Sequence, residues 1–548
     1  MSKITTDLAA LIHGEVTDDQ TSLGRAANDA SLFEVMPEAV VFPKDVSDIK
    51  ALVRYVAEHK AENPTLSLTA RAAGTDMSGG PLNDSIILDL TKHVNHIGTI
   101  TESEGTAQPG VFYRDFEIET LKEGVLMPSY PASKNLCALG GMVGNNAGGE
   151  KALIYGSTVR HVKRLKVVLS DGNEYEIKPL TRPELDQKMA QQDFEGKLYR
   201  DIFALTEKNQ ALITQKKPNV SKNSTGYFIW DVWDGTTFDL VKLFVGSQGT
   251  LGITTEITFE LVKPNPKTSM VVAFLRERDF PKLGEIVNAV LKHKPETFES
   301  YDDHTFRIAV RYFPDMVKSM RSGLITLGIR FLPEFFMVLT GGVPKLILMP
   351  EFTGTDQAET DARALAAKKD LEALGVQTRV TSSQKDTEKY WAVRHESFNL
   401  LRKHIKKERT APFIDDIIVR PDVLPQFLPR LNEIMSHYKI IYTIAGHVGD
   451  GNFHIIPLMD FTTVASKEIY KELIEKVFTL VFEFGGSMSG EHNDGIVRTP
   501  FLEKMYGKEM CAIFAQIKNT FDPQNIFNPG KKVGDTMAYA VEHIDTVY

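Results

Sequence analysis

Cysteine is nearly absent. Cys137 and Cys511, the only two in 548 residues, lie far apart and outside any CxxC spacing. That excludes a disulfide framework and a cysteine-ligated iron–sulfur cluster within these residues, and it suits a reducing compartment. A basic excess is missing too. With 63 Lys and Arg against 72 Asp and Glu, the formal charge is -9 and the pI ≈ 5.9, so the chain shows no electrostatic footprint for nucleic acid. No apolar run reaches the length of a membrane span. The nearest, Phe331 to Met349, is broken by Pro333, Glu334, Pro344 and Lys345. Within it Phe335-Phe336-Met337-Val338-Leu339 admits two readings, a buried helix or a contact with a membrane surface or a partner. The opening Met1 to Asp7 lacks the basic-then-apolar order of a signal peptide, which predicts a cytoplasmic protein, at most peripheral at the inner face of the membrane. Neither GxGxxG nor GxxxxGK[ST] occurs at the glycine clusters, so a nicotinamide-type Rossmann unit and a phosphate loop are not expected.

What is present is ordinary in bulk: 42% apolar and 25% charged residues, in a chain long enough for two to four domains. Ala39-Val40-Val41-Phe42 reads as a strand. Asp45 then caps an amphipathic helix whose Ile49, Leu52, Val53 and Val56 recur at helical spacing. Strands at Leu66–Ala70 and Ile86–Leu90 flank the small-residue loop Arg71 to Gly80. Two further glycine loops follow, Leu139 to Gly149 and Gly246 to Ile253. Such loops let backbone N–H groups approach an anion closely. Three of them in one β/α half of the chain point to a single extended ligand, a dinucleotide held outside the Rossmann manner. At Val262-Lys263-Pro264-Asn265-Pro266 the texture changes to long amphipathic helices, such as Ala358 to Leu374, between strands such as Val271–Leu275 and Lys345–Met349. That alternation predicts an α+β domain on an antiparallel sheet. The basic run Arg402 to Arg409 reads as a solvated face or a dock for an acidic partner.

Gly446-His447-Val448-Gly449-Asp450-Gly451-Asn452-Phe453-His454 places an Asp-Gly turn between β-branched runs, a hairpin signal. Folding there brings His447 and His454 together, either as half of a metal site or as a plain cross-strand contact. Downstream, Gly490-Glu491-His492-Asn493-Asp494-Gly495 offers a carboxylate and a third imidazole side by side. Arg394, in Trp391-Ala392-Val393-Arg394, reads by itself as a surface salt-bridge residue.

Taken jointly and in order, the three glycine loops, the His447–His454 hairpin, Ser489-Gly490-Glu491-His492 and the closing Phe521-Asp522-Pro523 to Lys531 resemble a known family. They are similar to flavoproteins of the vanillyl-alcohol oxidase type, whose FAD-binding fold is shared with para-cresol methylhydroxylase. Within it they look most like the D-2-hydroxyacid dehydrogenases, which include D-lactate dehydrogenase, the glycolate oxidase flavin subunit and D-2-hydroxyglutarate dehydrogenase. The resemblance runs from about Ala39 to Lys532. It implies an α+β architecture: a two-subdomain FAD-binding domain over 1–262, a substrate (cap) domain with the metal-binding hairpin over 263–488, and a segment 489–548 that completes the active site and returns to the FAD domain.

The resemblance also assigns residues. Arg71, Ala72, Ala73, Gly74, Thr75, Asp76, Ser78 and Gly79 match the pyrophosphate loop. Gly140, Gly141, Gly144, Asn145, Asn146, Gly148 and Gly149 match the second FAD segment. Tyr155, Gly156, Ser157, Gly249, Thr250, Gly252 and Ile253 match further cofactor contacts. His447, His454 and Glu491 match ligands of a divalent metal, zinc or manganese; His492 matches a catalytic base and Arg394 an arginine that binds the substrate carboxylate. Thr75 stands where covalently flavinylated relatives carry histidine, which implies non-covalent FAD. Ala72-Ala73 replace two usual glycines, and Gln248 a usual glutamate. Phe413 and Ile414 stand where 2-hydroxyglutarate-specific relatives carry a lysine, which turns the reading toward a D-lactate-like 2-hydroxyacid. With no cluster cysteines here, electrons are expected to leave to a separate acceptor, an iron–sulfur protein or a quinone. Two other readings remain, a non-redox transferase like alkyl-dihydroxyacetone-phosphate synthase and a non-catalytic flavin subunit of a glycolate-oxidase-like complex.

Overall fold

The computed structural model describes residues 2–303, 305, 307, 342–381, 383, 386–394 and 408–546. The apolar segment 335–339 and residues 402–407 of the basic run lie outside them. Among the described residues no helix is long and apolar enough to cross a membrane.

Three of the four sheets among the described residues organise the fold. The first holds β1 (Glu15–Thr17), β2 (Ala39–Phe42), β3 (Leu68–Arg71) and β4 (Ile86–Asp89) in the order β1-β2-β4-β3, with β2, β4 and β3 parallel. Parallel strands need a crossover, and helix Val46–His59 supplies it. Asp45 caps that helix by accepting from Ser47 and Asp48 N–H, and Ile49, Leu52, Val53 and Val56 are buried with Leu68, Ile86 and Leu88. The second sheet is antiparallel, β5 (Ile97–Ile100), β6 (Glu104–Ala107), β7 (Val162–Val168), β8 (Glu174–Ile177) and β9 (Ile253–Glu260), in the order β5-β6-β9-β7-β8.

The third sheet, also antiparallel, contains β10 (Lys267–Leu275), β11 (Thr297–Asp302), β12 (Leu346–Gly354) and β13 (Gln377–Val380). It continues through β14 (Arg409–Thr410), β15 (Ile417–Ile418), β16 (Ile441–His447) and β17 (Asn452–Met459), in the order β13-β10-β12-β11-β16-β17-β14 with β15 also on β17. The architecture is therefore α+β, a two-sheet half followed by an antiparallel-sheet half.

The chain then returns to the first sheet. Ile526 O accepts from Leu68 N at 2.7 Å, and Asn528 N donates to Leu68 O at 2.9 Å, so residues 526–528 lie beside β3. The Asn528 amide reaches Gly80 O at 2.9 Å and Gln248 O at 2.7 Å, tying the first glycine loop to the third.

One expectation is corrected. The second glycine segment is not a loop throughout, because Leu139–Asn145 is helical and stops at Asn146, which takes a left-handed φ of 53°. Leu139, Met142 and Val143 are buried at helical spacing, and that burial outweighs the poor helix propensity of Gly140, Gly141 and Gly144.

Candidate active site

The three glycine segments converge on one cleft. Arg71, Ala72, Ala73, Gly74, Thr75 and Asp76 line it from the first segment, Gly140, Gly141, Gly144 and Asn145 from the second, and Gly249 and Gly252 from the third. Its empty volume, open mouth included, is ≈ 820 Å³. The loop side chains mostly hold one another. The Arg71 guanidinium donates to Ala26 O, Arg25 O and Asn28 O at 3.2, 3.3 and 2.6 Å, so it secures the C-terminal end of helix Gln20–Ala26. Asp76 accepts from Ser78 N, Ser78 Oγ and Gly80 N on one oxygen, and from Asn145 Nδ2 at 2.5 Å on the other. Asp29, which sequence reasoning passed over, accepts from Gly79 N at 3.1 Å; burial and then the nearby Asp76 carboxylate push its pKa up to about 7.

Gln248 joins all three parts of the site. Its amide nitrogen lies 3.2 Å from Ser78 Oγ and 3.3 Å from Asn145 Oδ1, and its amide oxygen accepts from Gly495 N at 2.9 Å. Gln248→Glu removes both donations and sets a second carboxylate near Asp76. We expect a loss of about 1–3 kcal/mol of stability, read as a lower melting temperature and a smaller fraction of protein purified with flavin.

A flavin dinucleotide fits this cleft. A Cβ added to Gly141 would meet no protein atom nearer than Ala72 Cβ at 3.5 Å, and one on Gly144 nothing nearer than Gln248 Cα at 3.9 Å. No close protein neighbour demands glycine there, so the missing side chains leave room for a ligand. Gly149 differs, since a Cβ there would lie 2.0 Å from Tyr130 O and its glycine serves packing. Buried Ser157 Oγ has no hydrogen-bond partner among the described residues. Other assigned positions do not line the cleft: Ser78 is buried, and Asn146 Oδ1 accepts from Val159 N at 2.9 Å. Tyr155 O faces His161 Nε2 at 3.0 Å, and Thr250 Oγ1 pairs with Tyr227 OH at 2.7 Å.

The histidine cluster adjoins this region through two contacts. Asn493, left-handed at φ 68°, donates its side-chain amide to Asn145 O at 3.1 Å and Gly246 O at 2.9 Å. Gly148 lies so close to Glu491 that a Cβ there would come 2.8 Å from Oε2. In the β16–β17 hairpin His447 pairs with Asn452 and Ala445 with His454, so both imidazoles share one face. Three ring nitrogens approach one carboxylate oxygen. Glu491 Oε1 is 3.1 Å from His447 Nε2, 3.3 Å from His454 Nε2 and 4.0 Å from His492 Nε2.

Each imidazole is braced on its far side. His447 Nδ1 is 2.5 Å from Glu299 Oε1, His454 Nδ1 is 3.0 Å from Asp415 Oδ1, and His492 Nδ1 is 2.8 Å from Asp415 Oδ2. Carboxylates placed in this way fix the tautomer that leaves Nε2 free to ligate or to accept a proton. Arg394 Nε stands 3.3 Å from Glu299 Oε2 with its side chain only 12% exposed, so it belongs to this buried network and not to a surface salt bridge.

Asp416 also brings a donor atom within 4.8 Å of those of His454, Glu491 and His492. Its oxygens are occupied, however, by Asn452 Nδ2, Ser489 Oγ, Glu491 N and His492 N at 3.0, 2.5, 2.9 and 2.8 Å. Three of these donors meet Oδ2, through which Asp416 shapes the 489–492 turn, and one meets Oδ1.

The charges favour one. Burial lowers the His454 pKa, but Asp415 and Glu491 outweigh it and raise the net value to about 10. For His492, burial again lowers, and Asp416 and Asp415 prevail, so the net direction is up. Burial pushes Glu491 up, yet Lys222 and His447 hold it well below the usual carboxylate range. With the imidazoles neutral, as ligation requires, five buried carboxylates, Glu299, Asp415, Asp416, Asp450 and Glu491, face three nearby cations, Lys222, Arg394 and Arg498. A divalent cation would fill the deficit, and imidazole nitrogens with one carboxylate oxygen form a donor set suited to zinc.

Lys222, Glu299 and Asp415 were not singled out from the sequence as site residues. Glu299 sits mid-strand in β11 and pairs with the apolar Met349, where a carboxylate without a nearby partner in sequence is the one available signal. Lys222 lies in the polar stretch Asn219 to Gly226, yet residues 222–227 are buried without interruption.

Known proteins agree with this architecture. A family model described as FAD binding domain matches residues 37–178, and one described as FAD linked oxidases, C-terminal domain, matches residues 264–532. The chain belongs to the FAD-linked oxidases. It is 27% identical over 529 residues to the D-2-hydroxyglutarate dehydrogenase of Escherichia coli, covering 92% of this chain and 49% of that protein. The chain thus spans about half the length of the first of these relatives. It is 28% identical to glycolate oxidase subunit GlcD of Bacillus subtilis, across 95% of this chain and 94% of that one. Archaeoglobus fulgidus D-lactate dehydrogenase is 25% identical, covering 90% and 91%. In fold the chain matches 4-ethylphenol oxidase from Gulosibacter chungangensis at TM-score 0.69 and 15% identity, covering 98% and 97%. It matches p-cresol methylhydroxylase at 0.67 and 15%, covering 97% and 96%.

Proposed function

We propose that the protein is an FAD- and divalent-metal-dependent dehydrogenase that oxidises a D-2-hydroxyacid, D-lactate-like in size, to the 2-oxoacid. The observation that carries this reading is the convergence of three carboxylate-braced imidazoles on Glu491 Oε1 beside the dinucleotide cleft. FAD, held non-covalently, supplies the hydride acceptor, and the metal, zinc in preference to manganese, supplies Lewis acidity at the substrate hydroxyl. His447, His454 and Glu491 would hold that metal.

The chain's own residues do the rest. His492 takes the hydroxyl proton at Nε2, and the imidazolium so formed is stabilised by Asp415 Oδ2 at 2.8 Å from Nδ1. Arg394 holds the substrate carboxylate, and its contact with Glu299 fixes the guanidinium. Glu299 also touches His447, so the carboxylate-binding and metal-binding sides share one brace. The dry surroundings of Glu491 and Asp415 strengthen each of these charged contacts. The two electrons then leave to an acceptor outside these residues, an iron–sulfur protein or a quinone.

Anaerobic titration of the purified flavoprotein with a panel of D- and L-2-hydroxyacids tests the reading. One D-acid is expected to bleach the oxidised-flavin absorption, and metal chelation to abolish the bleaching. No bleaching by any acid, with flavin and metal both loaded, would overturn it in favour of a non-redox or purely structural flavin role.

A further inference from the structure

The two oxygens of Glu491 face different surroundings. Oε1 faces the imidazoles, while Oε2 lies 3.0 Å from Lys222 Nζ and is backed by Gly148, where a Cβ would stand 2.8 Å away. Lys222 is itself buried, its side chain 2% exposed, with Asp450 Oδ2 on its other side at 3.9 Å. An ammonium costs a great deal to bury unless it is paired, so its placement on this one oxygen has a consequence for the site.

We propose that Lys222 is a positioning residue that confines Glu491 to one-oxygen ligation and thereby sets the metal preference of the site. The inference rests on the metal-dependent reading above. A carboxylate whose second oxygen is held by an ammonium presents a single oxygen to a metal, which suits four-coordinate zinc. Manganese and calcium take more oxygen ligands, and calcium accepts bidentate carboxylates. Releasing Oε2 lets Glu491 turn toward two-oxygen ligation and favours the larger ions. Two opposing effects act on the overall affinity of a Lys222 variant, because removing a positive charge favours any cation while freeing the carboxylate loosens its aim. Their ratio between two metals of equal charge cancels the first effect.

The test uses full-length protein with FAD bound, stripped of metal and titrated with Zn²⁺ and Mn²⁺ against a chelating indicator. Lys222→Met is expected to shift the Zn²⁺:Mn²⁺ affinity ratio at least tenfold toward Mn²⁺. Lys222→Arg, which keeps a cationic N–H donor for Oε2, is expected to stay near the wild-type ratio. An unchanged ratio in Lys222→Met would overturn the inference, whereas a wild-type protein that binds neither metal would overturn the underlying reading. X-ray absorption at the zinc edge of the wild-type protein decides the matter even where Lys222→Met does not fold: one carboxylate oxygen at bonding distance supports the inference, and two refute it.

Discussion

Replacing His492 with alanine is expected to cut turnover by about 10²–10⁴-fold, the range general-base catalysis supplies, while FAD stays bound. The imidazole stands 4.0 Å from Glu491 Oε1, outside the closer pair formed by His447 and His454, and its Nδ1 lies 2.8 Å from the buried Asp415. That arrangement suits proton transfer at Nε2. Flavin should survive because the dinucleotide cleft is lined by the three glycine segments and not by His492. Steady-state turnover alongside the flavin content of the purified variant separates the two. Wild-type turnover in His492→Ala would remove the histidine from the mechanism.

Asp415→Asn should act on two properties together. One carboxylate oxygen is hydrogen-bonded to His454, and the other stands 2.8 Å from His492 Nδ1 as a charge contact. An asparagine can accept through its oxygen alone, so one imidazole loses the partner that fixes its tautomer. Metal affinity is expected to fall by about 10–100-fold, the usual cost of losing such a brace, and turnover at saturating metal should fall as well. In a His492→Ala background the added substitution should leave turnover where it was and still weaken metal binding, because the two residues act as one unit on the proton. Unchanged metal affinity and unchanged turnover would make Asp415 a bystander.

Several parts of this molecule were legible from local chemistry. Asp45 and the spacing of Ile49, Leu52, Val53 and Val56 predicted a helix because capping and periodicity are short-range, and the helix is observed over Val46–His59. Asp450-Gly451 between β-branched runs predicted a hairpin, observed as β16 and β17. The second glycine segment misled the local reading: three glycines suggest a loop, whereas buried Leu139, Met142 and Val143 hold a helix through tertiary packing. Arg394 was misjudged in isolation for the same reason, since its partner Glu299 lies 95 positions away in sequence and meets it only in the fold.

The sequence by itself determined the composition limits, the capped helices and hairpin, and the order of motifs that marks an FAD-linked oxidase, since each depends on neighbouring residues or on motif order along the chain. Tertiary structure alone decided which carboxylate braces which imidazole, that Lys222 claims the second oxygen of Glu491, and that Asn528 binds the first glycine loop to the third. Those contacts join residues from 39 to 448 positions apart, and nothing in the local chain encodes them; only burial, which leaves polar and charged groups to find partners within the fold, brings them together.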